Sequence, residues 1–136
     1  MQLKQDAKFL LGRHPAQQLV RHALGGTQGW GWIYRAETES QPRVDELQTN
    51  REALWRRLEI LRQQRCRPIA VYRVGSDHQQ AQRLLSRAGV QLLVVARADT
   101  KGRVEIEGHI WHGSRLEPLA IELAEDGALY HNPLHR

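Results

Sequence analysis

The sequence predicts a mixed α/β fold in a single domain spanning residues 1–136. Two apolar runs of strand length, residues 69–74 (IAVYRV) and 90–95 (VQLLVV), flank a stretch with helical spacing, residues 79–88. A strand, a helix and a strand in so little chain imply parallel neighbours joined by a right-handed crossover. The turn Asp99-Thr100-Lys101-Gly102 then leads into a third strand, residues 103–111. The expected architecture is a central βαβ unit continued by an antiparallel C-terminal meander. Helices cover a sheet of about four to six strands.

Taken in order, residues 7–11 form a short apolar patch read as helical, broken by Gly12-Arg13-His14-Pro15. Pro15 suits a first helical turn, Leu19, Val20, Ala23 and Leu24 follow as a stripe, and Gly25-Gly26 ends the segment. Residues 28–35 alternate, with Trp30, Trp32 and Tyr34 on one face of a strand and Gly29, Gly31, Ile33 and Arg35 on the other. Residues 36–43 read as a linker. Residues 44–65 are the longest periodic segment, an amphipathic helix carrying Leu47, Leu54, Leu58 and Leu61, with Pro68 stopping it. Gly75-Ser76-Asp77 caps the crossover helix and Gly89 closes it. Residues 90–95 are apolar on both faces and should be the most buried strand. Ser114 and Glu117 match a capping box, but the alternation of Leu119, Ile121 and Leu123 and the position of Pro118 favour a strand. Asp126-Gly127 then turns that strand towards residues 128–130 as a hairpin.

The net charge is +5, with an isoelectric point near 10.0, and its distribution is uneven. Residues 1–97 hold 16 Lys and Arg against 8 Asp and Glu, whereas residues 98–136 hold 4 against 7. Arginine outnumbers lysine 17 to 3, and guanidinium forks match phosphate oxygens in a bidentate way. A GC-rich genome would produce the same ratio, so the clustering carries more weight than the count. Cys66 is the single cysteine, which excludes an internal disulfide and a cysteine-based metal cluster. The first fifteen residues resemble neither a secretory signal nor a membrane span, so a cytoplasmic protein with no membrane partner is expected.

The strongest candidate site is the basic helix with its C-terminal extension. Arg51, Arg56, Arg57, Arg62, Arg65 and Arg67 cluster there against only Glu52 and Glu59. Arg51, Arg62 and Arg65 lie beside the apolar stripe, while Arg56 and Arg57 point away from it. Such a helix can track a phosphate backbone, each neutralised phosphate releasing counterions. Equally, it can be a solvated face whose arginine stems cover an apolar seam. Trp30, Trp32 and Tyr34 could stack unpaired bases, but as the more apolar face of their strand they are expected in the core.

A second constellation is carboxylate-based. Asp77, Asp99, Glu105 and Glu107 could gather at one sheet end and hold Mg²⁺ for phosphodiester hydrolysis. Glu105, Glu107, His109 and Trp111 share one strand face, and Arg97 is expected to pair with Glu105 across the hairpin. The seven histidines do not form a zinc-binding pattern; His109 and His112 fall on opposite faces of a strand. No GxGxxG, GxxxxGK[ST] or GxSxG motif is present. The sequence therefore points to a small basic protein that binds DNA or RNA without a catalytic centre, metal or cofactor. The alternatives are an Mg²⁺-dependent nuclease using the four carboxylates, and a protein-interaction subunit or homodimer.

Overall fold

In the computed structural model, residues 8–76 and 80–123 are described. They form a mixed α/β domain: one seven-stranded sheet with three helices. The elements are β1 (Lys8–Leu11), α1 (Arg13–Leu24), β2 (Gly29–Ala36), β3 (Arg43–Val44), α2 (Arg51–Gln63), β4 (Cys66–Val74), α3 (Ala81–Ala88), β5 (Leu92–Ala98), β6 (Val104–Trp111) and β7 (Leu116–Leu123). The strand order is β1-β7-β6-β5-β4-β2-β3.

The βαβ unit forms as its pattern dictates. β4 and β5 pair in parallel, Val71 beside Leu93 and Tyr72 beside Val94. Gly89 ends α3 in the left-handed conformation, φ 72°, where a side chain would be strained. β5 and β6 pair antiparallel across the Asp99–Gly102 turn, and β6 and β7 extend the meander. The segment after Ser114 is a strand, and the expected second arm of that hairpin lies outside the described residues. Asp77 lies outside them too, but the start of the crossover helix does not: α3 begins at Ala81, with Gln80 rather than the Gly75-Ser76-Asp77 turn at its N-cap.

Both faces of the sheet are covered, which explains why β5 is apolar on both. On one side Ile33, Tyr72, Val94, Ala96 and Ile106 pack with Ala16, Leu19 and Ala23 of α1. On the other, Trp32, Val71, Leu93 and Val95 pack with Leu54, Leu58 and Leu61 of α2 and Leu84 and Leu85 of α3. The aromatic face of β2 is therefore core: Trp32 is fully buried, and its indole N–H donates to the Leu54 carbonyl at 2.8 Å. Gly31 is required by close approach, since a Cβ there would lie 2.2 Å from the Tyr72 ring.

Three sequence expectations need correction. Residues 8–11 are a strand, not a helix, pairing in parallel with β7 so that Leu11 is buried while Leu10 is exposed. Four residues are too few to show a period, and the partner strand is remote in sequence. The long helix starts at Arg51 rather than residue 44; the Asn50 side chain accepts the Ala53 N–H at 2.8 Å and caps it. Val44 belongs to β3, and Leu47 packs against the α1 side instead of extending the α2 stripe. The sheet has seven strands instead of four to six, because β1 and β3 are too short to read from pattern.

Leu93 and Val94 are 0% and 1% exposed and point to opposite faces of β5. Leu93→Asp or Val94→Asp should each abolish the cooperative thermal transition. An unpaired buried carboxylate costs several kcal/mol against a total stability of about 5–15 kcal/mol. Circular dichroism melts that match wild type would rule out a two-sided central strand.

His22 stacks on Tyr72, ring centroids 5.9 Å apart and 15° from parallel. Burial, helped by the Arg21 charge, holds its imidazole below the ordinary value of 6.5. The fold thus favours neutral His22. Its contribution is complete above the unfolded pKa and is lost as pH falls through the lower folded value. His22→Phe, which keeps the stack, should lose less Tm than wild type on acidification from about pH 7.5 to about pH 5.5. Equal losses would exclude His22 as a source of acid sensitivity.

Candidate nucleic-acid interface

The arginines expected to form one surface are divided by the fold into four groups. Arg57 belongs to the architecture. Asp45, 5% exposed, follows β3 and bonds the Arg57 guanidinium twice, Oδ2 accepting from Nε at 3.0 Å and Oδ1 from Nη2 at 2.6 Å. The expectation that Arg57 points away from the packed side is thus wrong. It is drawn down beside the α2 stripe, and the Asp45 hydrogen bonds raise its already high pKa. Backbone groups hold Asp45 as well: its N–H donates to the Trp32 carbonyl at 2.9 Å, and its own carbonyl accepts the Tyr72 hydroxyl at 2.7 Å. Burial, with the nearby Asp45 charge, pushes the Tyr72 pKa far above its ordinary range, so the phenol stays a donor.

Arg51 stands at the other end of α2, where its guanidinium donates to Gln80 Oε1. It opens onto a depression of about 830 Å³ over the exposed side of α3, which Trp55, Gln82, Arg83, Ser86, Arg87 and Trp111 also line. Arg83 and Arg87 are four apart on α3, so they share its outer face. Arg87 lies over the Trp55 ring, 4.5 Å from its centroid, and the Trp111 indole N–H donates to Ser86 Oγ at 2.9 Å. The depression thus carries three guanidinium groups between two fixed indoles, and among the described residues no carboxylate lines it.

Arg62 and Arg56 are exposed on α2. Arg65 and Arg67 follow the helix and line a separate cleft with Arg35 at the β2–β4 end. The sequence reading therefore identified Arg51 in the depression but missed Arg83, Arg87, Trp55 and Trp111. The Arg-x-x-x-Arg spacing on a short helix was the available signal.

The carboxylates do not come together as a metal-binding group among the described residues. Asp99 is occupied by its own turn: it accepts the Lys101 and Arg103 N–H groups at 2.8 and 2.9 Å and Arg103 Nε at 2.9 Å. Those bonds hold its carboxyl below the usual range. Glu105 and Glu107 share a face of β6 as expected. Arg97 stands opposite Glu105 in the strand register but pairs with Glu107, one step diagonally along the ladder. Asp77 lies outside the described residues. At the same sheet end Arg73 lies over Trp30, 4.8 Å from the ring centroid.

No family model matches the sequence, and no curated protein does. Among solved structures, the chain is similar to the solution structure of a Desulfitobacterium hafniense protein determined as a structural-genomics target. The TM-score is 0.55 at 10% identity, over 87% of this chain and 94% of that one, a likeness of fold.

The Asp45–Arg57 pair yields an asymmetric prediction. Arg57→Ala strands a buried carboxylate and should cost about 3 kcal/mol. Asp45→Ala leaves a guanidinium whose side chain is already 28% exposed and can turn to water, so it should cost about 1–2 kcal/mol. Urea titrations of the two variants give the order, and a larger loss for Asp45→Ala would mean the carboxylate is not the group that needs its partner.

Proposed function

We propose that this is a small basic protein that binds single-stranded nucleic acid on the arginine- and tryptophan-lined depression over α3. The observation that carries the reading is the composition of that surface: Arg51, Arg83 and Arg87 beside Trp55 and Trp111, with no acidic side chain among the described residues of the lining. Guanidinium groups attract a phosphate backbone whatever its sequence, and indole faces offer unpaired bases a place to stack. Arg62, about three turns after Arg51 and so on the same side of α2, is a further exposed cation beyond the depression. Binding alone needs no catalytic group, metal or cofactor. No helix among the described residues is long and apolar enough to cross a membrane, and the location we infer with this function is the cytoplasm.

Fluorescence anisotropy with labelled oligonucleotides at low ionic strength tests the proposal. Affinity should fall steeply with salt, and Arg83→Ala or Arg87→Ala should each flatten the log–log salt slope by about 0.7 on single strands. Trp111→Ala should weaken single-strand binding by about 1–3 kcal/mol and duplex binding less. If no DNA or RNA, single- or double-stranded, binds in a salt-sensitive way, the reading fails and a protein-interaction role takes its place. Mg²⁺-dependent cleavage abolished by Asp99→Asn would instead establish a nuclease.

A further inference from the structure

We propose that the cleft at the β2–β4 end is a separate binding site for a phosphate group, built from Arg35, Arg65 and Arg67. The cleft measures about 530 Å³ and is lined by these three residues together with Ala36, Glu37, Glu39 and Cys66. Arg35 and Arg67 stand directly opposite each other in the β2–β4 register. Like charges at such a pair repel, which is a cost that a bound anion removes. The nearby carboxylates do not cancel the charge. Glu39 is held by Arg43, through Nε at 3.0 Å and Nη2 at 2.6 Å, which leaves Glu37 alone against three guanidinium groups.

Arg65 strengthens the case. It follows the C-cap of α2 with φ 59°, the sole non-glycine residue with positive φ among the described residues. Glycine or asparagine is the usual choice at this position after a helix, because a Cβ is strained there. The Glu37 N–H donates to the Arg65 carbonyl at 3.0 Å and so ties the loop after β2 to the end of α2. An arginine is thus held in a costly conformation beside an unneutralised arginine pair, where glycine would fit better and bind nothing. A tetrahedral dianion can accept from all three forks. Its source is either the terminal phosphate of a nucleic-acid strand or a small phosphorylated molecule. The site stands whether or not the depression over α3 binds nucleic acid.

Inorganic phosphate titrated into the full chain, followed by ¹H–¹⁵N spectra including arginine Nε resonances, tests the site. Saturable shifts should centre on residues 35–37 and 65–67, and Arg67→Gln should weaken the affinity about tenfold, the loss of one charge-assisted contact. Arg65→Gly should separate function from stability, raising Tm while weakening phosphate binding. Phosphate should raise the Tm of wild type and leave that of an Arg35→Gln, Arg67→Gln double variant unchanged. Tighter binding of 5′-phosphorylated than 5′-hydroxyl oligonucleotides, lost in Arg67→Gln, would identify the strand end as the source. Equal binding of the two with the phosphate shifts intact would assign the site to a small phosphorylated molecule. Absence of saturable shifts in these segments, or an Arg65→Gly protein that binds phosphate as wild type does, would overturn the proposal.

Discussion

A carboxylate removed from water must be met by a fixed cation, and in this protein that requirement is placed at the junction of three elements. Asp45 reaches β2 through its N–H, β4 through its carbonyl and α2 through its side chain. The Tyr72 hydroxyl can reach it only because Gly31 leaves room for the ring. The contact that orients α2 is therefore polar and directional, with leucine packing filling in around it. Hydrophobic burial alone would let an amphipathic helix rotate or slide over a sheet of similar residues; a two-pronged guanidinium–carboxylate contact admits one position. Whatever α2 displays to solvent, including Arg51 at one end and Arg65 just past the other, is displayed in a fixed frame.

That frame accounts for the division of the arginines. α2 has a buried side, and a guanidinium beside it is either claimed by the fold, as Arg57 is, or directed to one of the helix ends. The N-terminal end adjoins α3 and its arginines; the C-terminal end adjoins the β2–β4 ladder and Arg35. Two positively charged concavities result where a simple helical-wheel projection shows one stripe. They differ in chemistry: the first has indole walls, the second is lined mainly by arginine and glutamate with hardly any aromatic surface.

The parts of the fold that were legible in the sequence are those whose information is local. β4, α3, β5 and β6 each declare their own period, and Gly89 and the Asp99–Gly102 turn mark their ends. Residues whose roles depend on distant partners were not legible. Leu47 lies seven residues before Leu54, a spacing that fits a helix, yet Asn50 stops the helix between them and Leu47 packs on the opposite side of the sheet. Arg57 looks like any exposed helical arginine until the turn that brings Asp45 beside it is known. The candidate site was half visible for the same reason. Arg51 stood out within a dense run, whereas Trp111 comes from a strand on the far side of a turn and joins Arg87 only through packing against Ser86.

The pairing of β1 with β7 has a consequence for how the chain acquires its structure. Phe9 sits beside Ile121, more than a hundred residues further along, and Leu11 reaches full burial through this neighbourhood. During synthesis the βαβ unit can condense as soon as β5 has emerged, but β1 has no ladder to join until the last described strand is made. Closing so long a loop is slow and entropically unfavourable, and until it closes an apolar segment and an unpaired sheet edge are both open to other chains. The order of assembly is thereby written into the strand order: centre first, rim last. The rim is where nascent copies of this protein are most vulnerable to association with one another.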